Sequence, residues 1–294
     1  MQKKVLQLTN KEDIAYLDFN PNASQTILLV HGNMSSGVHY KPLFEHLSAD
    51  YRVLSPDLRG FGDSTYHQPI DSLEDFADDL ADFLTLNHIE KVVFVGWSTG
   101  GGIGLKFAAK YPEKVSHLVL IESTSHKGYP IFEKDETGTP ILTKVYTQKE
   151  AMAQDPIQVA PAVNALESNN VEFMEMVWKA AIYNVKVPDE KDLELYISET
   201  MKQRNLIDVD WALMTLNMSD KPNDVVPGDG SIHDVKVPVL NIWGRLDFVV
   251  PEIMYNENQT ALPHAKQHIF DGGSHSPITD DPDKLSEIIL DFIR

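Results

Sequence analysis

Cysteine is absent from the 294 residues, which excludes disulfide stapling, a thiolate nucleophile and cysteine-ligated zinc or iron–sulfur centres. Cations are scarce as well: 25 Lys+Arg stand against 44 Asp+Glu, a net charge of 25 − 44 = −19 with histidines neutral. So acidic a surface repels phosphate backbones and anionic headgroups, so neither nucleic acid nor a membrane is an expected partner. Long apolar runs are missing too. No stretch reaches the 18 or more apolar residues of a membrane span, and Met1-Gln2-Lys3-Lys4-Val5 leads into no secretory apolar segment. A soluble, cytoplasmic chain is the expectation; its oligomeric state is left open.

What is present suits a globular enzyme. The 42% hydrophobic and 23% charged fractions argue against disorder, and a chain of this length buries about 75% of its unfolded surface. Short runs rich in β-branched residues recur at 26–30, 52–55, 91–95 and 117–121, and again at 237–243 and 267–270. Near-continuous apolar strands separated by helices indicate a mostly parallel sheet covered on both faces. Segments 5–9 and 14–19 alternate and lie close together, as an antiparallel hairpin at a sheet edge would. Ser72 with Asp75 forms a capping box, and Leu73, Phe76, Ala77, Leu80, Phe83 and Leu84 mark the buried stripe of the helix that follows. Asp75, Asp78, Asp79 and Asp82 read as its solvated face. Between Glu122 and Val237 the alternation stops, and helical patterns at 171–183 and 189–203 suggest a mostly helical insertion. The expected division is an α/β core, 1–121 plus 237–294, with a cap at 122–236.

The strand at 91–95 runs into Gly96-Trp97-Ser98-Thr99-Gly100 and then a helix stopped by Pro112. Strand, G-x-S-x-G and helix together make a nucleophile elbow, a turn so tight that only small neighbours are tolerated two residues to either side of the serine. The helix start also favours negative charge. A phosphate-binding loop is the rival reading, but the cluster has neither the Gly-Lys-Ser/Thr ending of a P-loop nor G-x-G-x-x-G spacing.

With these motifs in place, the chain resembles the α/β-hydrolase family over nearly its whole length. His31-Gly32-Asn33-Met34 is similar to the family's His-Gly motif after the third strand, and Asp57-Leu58-Arg59-Gly60-Phe61-Gly62-Asp63-Ser64 to the loop after the fourth. Gly244-Arg245-Leu246-Asp247 stands where the family carries its triad acid, and Gly272-Gly273-Ser274-His275 where it carries the catalytic histidine. The resemblance implies an eight-stranded, mostly parallel sheet flanked by helices, and backbone N–H groups of Asn33 and Thr99 as an oxyanion hole.

The order Ser98, Asp247, His275 meets the chemical need independently: a serine hydroxyl requires a base, and the base requires a carboxylate to fix its tautomer. Glu122 is the alternative acid, because haloalkane dehalogenases, which also resemble this chain at His31-Gly32-Asn33, place theirs after the sixth strand. Their aspartate nucleophile is contradicted by Ser98. Met34 and Trp97 are expected pocket residues, and the methionines of the insertion either line an acyl pocket or pack its helices. His31 reads as a loop brace. His264 and His268 sit four apart, but Pro263 breaks the helix that metal ligation would need. No cofactor or metal is called for. The expected function is a serine hydrolase acting on a small-molecule carboxylic ester or lactone. An intracellular polyhydroxyalkanoate depolymerase, a C–C bond hydrolase of the same fold or a non-catalytic ligand receptor remain alternatives.

Overall fold

The computed structural model describes residues 1–294. Ten strands occur in chain order: β1 (Lys4–Gln7), β2 (Asp13–Phe19), β3 (Thr26–Val30), β4 (Arg52–Pro56), β5 (Val92–Trp97), β6 (Val115–Ile121), β7 (Phe132–Lys134), β8 (Pro140–Val145), β9 (Val239–Gly244) and β10 (Lys266–Phe270). Eight form one sheet in the order β1-β2-β4-β3-β5-β6-β9-β10. β1 pairs antiparallel with β2, and β2 with β4; every later pairing is parallel. The edge hairpin and the six apolar runs of the sequence are all strands of this sheet.

Both faces of the central strands are buried, and the side-chain period of two divides them. Leu28, Val30, Phe94, Leu118 and Leu120 join helices α2 (Leu73–Leu86) and α3 (Thr99–Lys110) in a core of 36 buried residues. Ile27, Leu29, Val93, Val95 and Val119 face the opposite way into a core of 29, with α1 (Lys41–Ser48) and the C-terminal helix Pro282–Ile293. The Ser72–Asp75 capping box forms as expected. Its helix departs from the expected solvated face at Asp79, which is buried. There it pairs with Arg59 at 2.8 Å and takes a hydrogen bond from Asn10. Burial, only partly offset by Arg59, raises the Asp79 pKa to about 6. Buried acids must be paired or protonated, and here the partner comes from a loop remote in sequence.

The segment between β6 and β9 carries the β7–β8 hairpin, which hydropathy alone did not suggest, and five helices: Lys149–Met152, Ala160–Glu167, Val171–Ala181, Glu190–Thr200 and Leu206–Thr215. It has no fully separate core. Met174, Trp178, Tyr196 and Ile197 of the insertion belong to the same 29-residue cluster as β3, β5 and β6. No helix is long and apolar enough to cross a membrane.

A second tie between insertion and sheet is electrostatic. Lys3 Nζ lies 2.7 Å from Asp57, 2.8 Å from Asp63 and 2.6 Å from Glu199, and Asp57 and Glu199 are buried. The three carboxylates come within metal-ligand reach of one another, yet the ammonium of Lys3 sits among them. Burial works against the charge on Lys3, but the facing carboxylates outweigh it and hold its pKa above the usual lysine range. Removing one partner of a buried ion pair leaves uncompensated charge at a cost of about 3–5 kcal/mol. Lys3→Met should therefore lower unfolding free energy by about 3 kcal/mol in a urea titration. An unchanged midpoint would mean that Lys202, which also reaches Asp63 and Glu199, neutralises the cluster alone.

Candidate active site

The C-terminal ends of the parallel strands converge on one cavity of about 480 Å³, where an α/β sheet presents its crevice. β5 delivers Ser98 in a left-handed turn, φ +56°, between strand and α3. A Cβ on Gly96 would lie 2.2 Å from the carbonyl oxygen of Gly100, and one on Gly100 only 2.1 Å from that of Val30. Both glycines are therefore obligatory for a turn this tight. Gly32 has the same role on the facing loop, since a Cβ there would come within 2.9 Å of the Ser98 Cβ. The turn is anchored by Ser98 N–H donating to Ile121 O at 2.9 Å and by Ser98 O accepting from Gly101 N–H at 2.9 Å.

His275, on the loop after β10, donates through Nδ1 to Asp247 Oδ2 at 2.8 Å, and both side chains are buried. Because a carboxylate only accepts, Nδ1 carries the proton and Nε2 is left as the basic nitrogen. Asp247 Oδ1 accepts from the N–H groups of Val249 at 2.6 Å and Val250 at 2.9 Å. Burial alone would raise the Asp247 pKa, but the charge and hydrogen bond of His275, with these N–H groups, hold it below the usual aspartate range. Ser98 and His275 line the same cavity without a direct hydrogen bond between them. Such contacts commonly tighten only when substrate fills the site.

The oxyanion candidates also face this space. Asn33 N–H makes no backbone hydrogen bond, and Thr99, the first residue of α3, has no intrahelical acceptor for its own N–H. The Asn33 side chain is locked: Oδ1 accepts from Met34 N–H at 3.0 Å and from Gln203 Nε2 at 2.8 Å, while Nδ2 donates to Asp210 Oδ1 at 2.9 Å. His31 braces the loop, accepting from Leu58 N–H at 3.0 Å through Nε2 and donating through Nδ1 to Gly32 O at 2.8 Å. Burial pushes its pKa down to about 4, so it is neutral there.

Met34 lines the cavity, but Trp97 does not: it is buried beneath, its indole Nε1 donating to the carbonyl of His275 at 2.7 Å. A residue next to the nucleophile in a strand points to the sheet face opposite the crevice, so Trp97 positions the histidine loop rather than touching a ligand. The insertion's methionines also pack as helix core: Met152, Met174 and Met214 are buried, and none lines the cavity. His268 lies in β10 and His264 outside any helix, so the pair shares no helix face. Asp210 went unnoticed in the sequence, where its only signal is that it is one of two acids in a largely apolar helix. A larger groove of about 870 Å³, bordered by Asp63, Lys202 and Arg204, lies outside this constellation.

Glu122 takes a different place from that of an alternative triad acid. It is fully buried at φ +46°, no donor reaches either carboxyl oxygen, and its carboxyl faces Asp247 rather than His275. Two adjacent carboxyls cannot both ionise in such a place. Burial first, then the charge of Asp247, pushes Glu122 well above its ordinary value of 4.5, so of the two carboxyls it is Glu122 that keeps a proton beside an ionised Asp247. The native state thus binds this proton more tightly than the unfolded chain. Its contribution to stability is full below the unfolded glutamate pKa and is lost as pH rises toward the folded one. Glu122→Gln, which keeps a donor, should flatten the fall of Tm above pH ~5. Parallel curves for the two proteins would place the proton elsewhere.

The model of the alpha/beta hydrolase fold matches residues 25–282. The chain is 26% identical over 274 residues to the pimeloyl-[acyl-carrier protein] methyl ester esterase of Vibrio parahaemolyticus, covering 91% of this chain and 94% of that one. Among solved structures it is similar in fold to an esterase from Exiguobacterium antarcticum, with TM-score 0.75, 16% identity and 99% coverage of both chains. A meta-cleavage product hydrolase from Pseudomonas fluorescens gives TM-score 0.70 at 20% identity, covering 98% of this chain and 96% of its own. With its strand order, elbow turn and family match taken together, the chain belongs to the alpha/beta hydrolase fold family, as an esterase-like member.

Proposed function

We propose that this protein is a carboxylic ester hydrolase that works through an acyl-enzyme, with a small-molecule ester or lactone as substrate. The observation that carries the reading is the 2.8 Å contact of His275 Nδ1 with Asp247, in the same cavity as a serine held at a left-handed turn. His275 Nε2 takes the proton of Ser98 Oγ as the oxygen attacks the substrate carbonyl, forming a tetrahedral oxyanion. The N–H groups of Asn33 and Thr99 donate to that oxyanion, each worth about 10²–10³ in rate. Collapse expels the alcohol, which receives the proton from His275. A water deprotonated by His275 then attacks the acyl-serine and releases the acid. Asp247 keeps the imidazole in the productive tautomer and balances its positive charge.

The segment 122–236 serves as a cap whose inner surface forms the acyl-binding wall: Phe173, Val177 and Ile182 face the cavity, and 13 of the 21 lining residues are hydrophobic. A largely apolar wall suits an uncharged acyl group and excludes water from the acyl-enzyme. The ester-cleaving Vibrio relative supports the same reaction class. The lactone arm follows from the mechanism itself, since a lactone is an intramolecular ester.

A fluorophosphonate probe should label Ser98 stoichiometrically and leave Ser98→Ala unlabelled, by intact-mass and peptide analysis. An unlabelled, folded wild-type protein would refute the reading. Asp247→Ala should lower kcat on short-chain p-nitrophenyl esters by about 10³–10⁴, whereas Glu122→Gln should stay within about tenfold of wild type, because a neutral donor to Asp247 is retained. The reverse order would make Glu122 the working acid.

A further inference from the structure

Helix Leu206–Thr215 is apolar along most of its length, yet it carries two acids. Asp208 is accounted for on the outside, where Lys149 lies 2.5 Å away and the Tyr66 hydroxyl donates to it. Asp210 faces inward, into the cavity that holds Ser98, Met34 and His275. No cation pairs with it. Its Oδ1 is engaged by Asn33 Nδ2 at 2.9 Å, and Oδ2 has no partner within the protein. Leu206, Leu213 and Ile131 line the same cavity, as does Tyr129, whose hydroxyl is already spent on Val249 O at 2.8 Å. Burial raises the Asp210 carboxyl to about 7, with the Asn33 bond opposing the rise.

An unpaired carboxyl in such a wall is expensive to hold unless a ligand completes its hydrogen bonds. The geometry also fixes where that ligand group must sit. Asn33 is the residue whose N–H faces the oxyanion position, and its side chain touches Asp210. Gln203 holds that side chain from the other side. Asp210 therefore borders the part of the cavity next to Asn33, which it shares with Ser98. From this placement we infer that Asp210 is a specificity-determining residue, accepting a hydrogen bond from a hydroxyl or amide N–H that the substrate carries two or three atoms from its ester carbonyl. This rests on the ester-hydrolase reading for the identity of the carbonyl, but the recognition itself is a binding property of the cavity. It selects donor-bearing acyl esters and lactones over plain alkanoyl ones. A site built to satisfy a polar group discriminates strongly, because the analogue lacking the donor leaves the carboxyl unpaired.

The test compares phenyl 3-hydroxybutanoate with phenyl butanoate. In the wild-type protein at pH 8.5, above the Asp210 pKa of about 7, kcat/KM should favour the hydroxylated ester by about tenfold or more, the size expected for one hydrogen bond to a charged acceptor. Asp210→Leu, which fills the space with apolar volume, should abolish that preference, read as the ratio of kcat/KM for the two esters and not as either rate alone. Asp210→Asn supplies a signature that a merely structural role would not. With its amide oxygen taken by Asn33 Nδ2, its NH₂ faces the cavity, so the preference should turn toward the acceptor-bearing 3-oxobutanoate ester. Calorimetric binding of the same three esters to Ser98→Ala, with and without the Asp210 substitutions, reads recognition apart from turnover. If wild type cleaves none of the esters but the binding preference is present and is lost in Asp210→Leu, the hydrolase reading fails and the role of Asp210 stands. If neither turnover nor binding distinguishes hydroxylated from plain ester, or the distinction survives Asp210→Leu, the inference is overturned.

Discussion

The left-handed turn at Ser98 is the constraint on which the site depends. An L-residue in that conformation costs about 1–2 kcal/mol, and here the surroundings hold it in place. Ser98 N–H is tied to β6 through Ile121, its carbonyl receives Gly101, and the backbones of β3, β5 and α3 approach so closely that Gly32, Gly96 and Gly100 have no room for a Cβ. That close approach sets the hydroxyl beside the free N–H groups of Asn33 and Thr99. Widening any of the three contacts would move the Ser98 hydroxyl away from those N–H groups.

Around that turn, a chain of net charge −19 places several acids in its interior, and each is handled differently. Asp57 and Glu199 are met by Lys3, and Asp79 by Arg59. Asp247 is met by His275, and Glu122 by a retained proton. A neutral acid beside Asp247 adds no second negative charge to that buried place. Asp210 is met by no cation, only by the side-chain amide of Asn33, and it lines the cavity.

The insertion is bound into the body of the molecule by two kinds of contact. Trp178 and Tyr196 share a hydrophobic cluster with the sheet, and Lys3 clamps Glu199 of the insertion to Asp57 of the core. The same segment contributes Phe173, Ile182 and Asp210 to the cavity wall. Stability and the shape of the binding site are therefore coupled: a change in the clamp alters how firmly that wall is held over Ser98.

Local sequence was enough to determine the strands of the eight-stranded sheet, the capping box at Ser72, the elbow at Ser98 and the order of the three polar residues, because each depends on residue periodicity or on conformations that only neighbouring glycines permit. It also placed Asn33, Met34, Asp247 and His275 on loops that the structure brings to one cavity. Tertiary structure alone decided the rest. Whether Glu122 or Asp247 meets His275 depends on which of two parallel strand ends lies nearer the histidine loop. That Asp79 is buried, that Trp97 supports His275 from beneath, and that Lys3 holds three carboxylates depend on partners 20 to 196 residues away. Asp210 was the least legible of all, since of the two acids in this largely apolar helix only the cavity distinguishes it from the ion-paired Asp208. Charge and burial are properties of three-dimensional neighbours, and a linear sequence records the groups but not their distances.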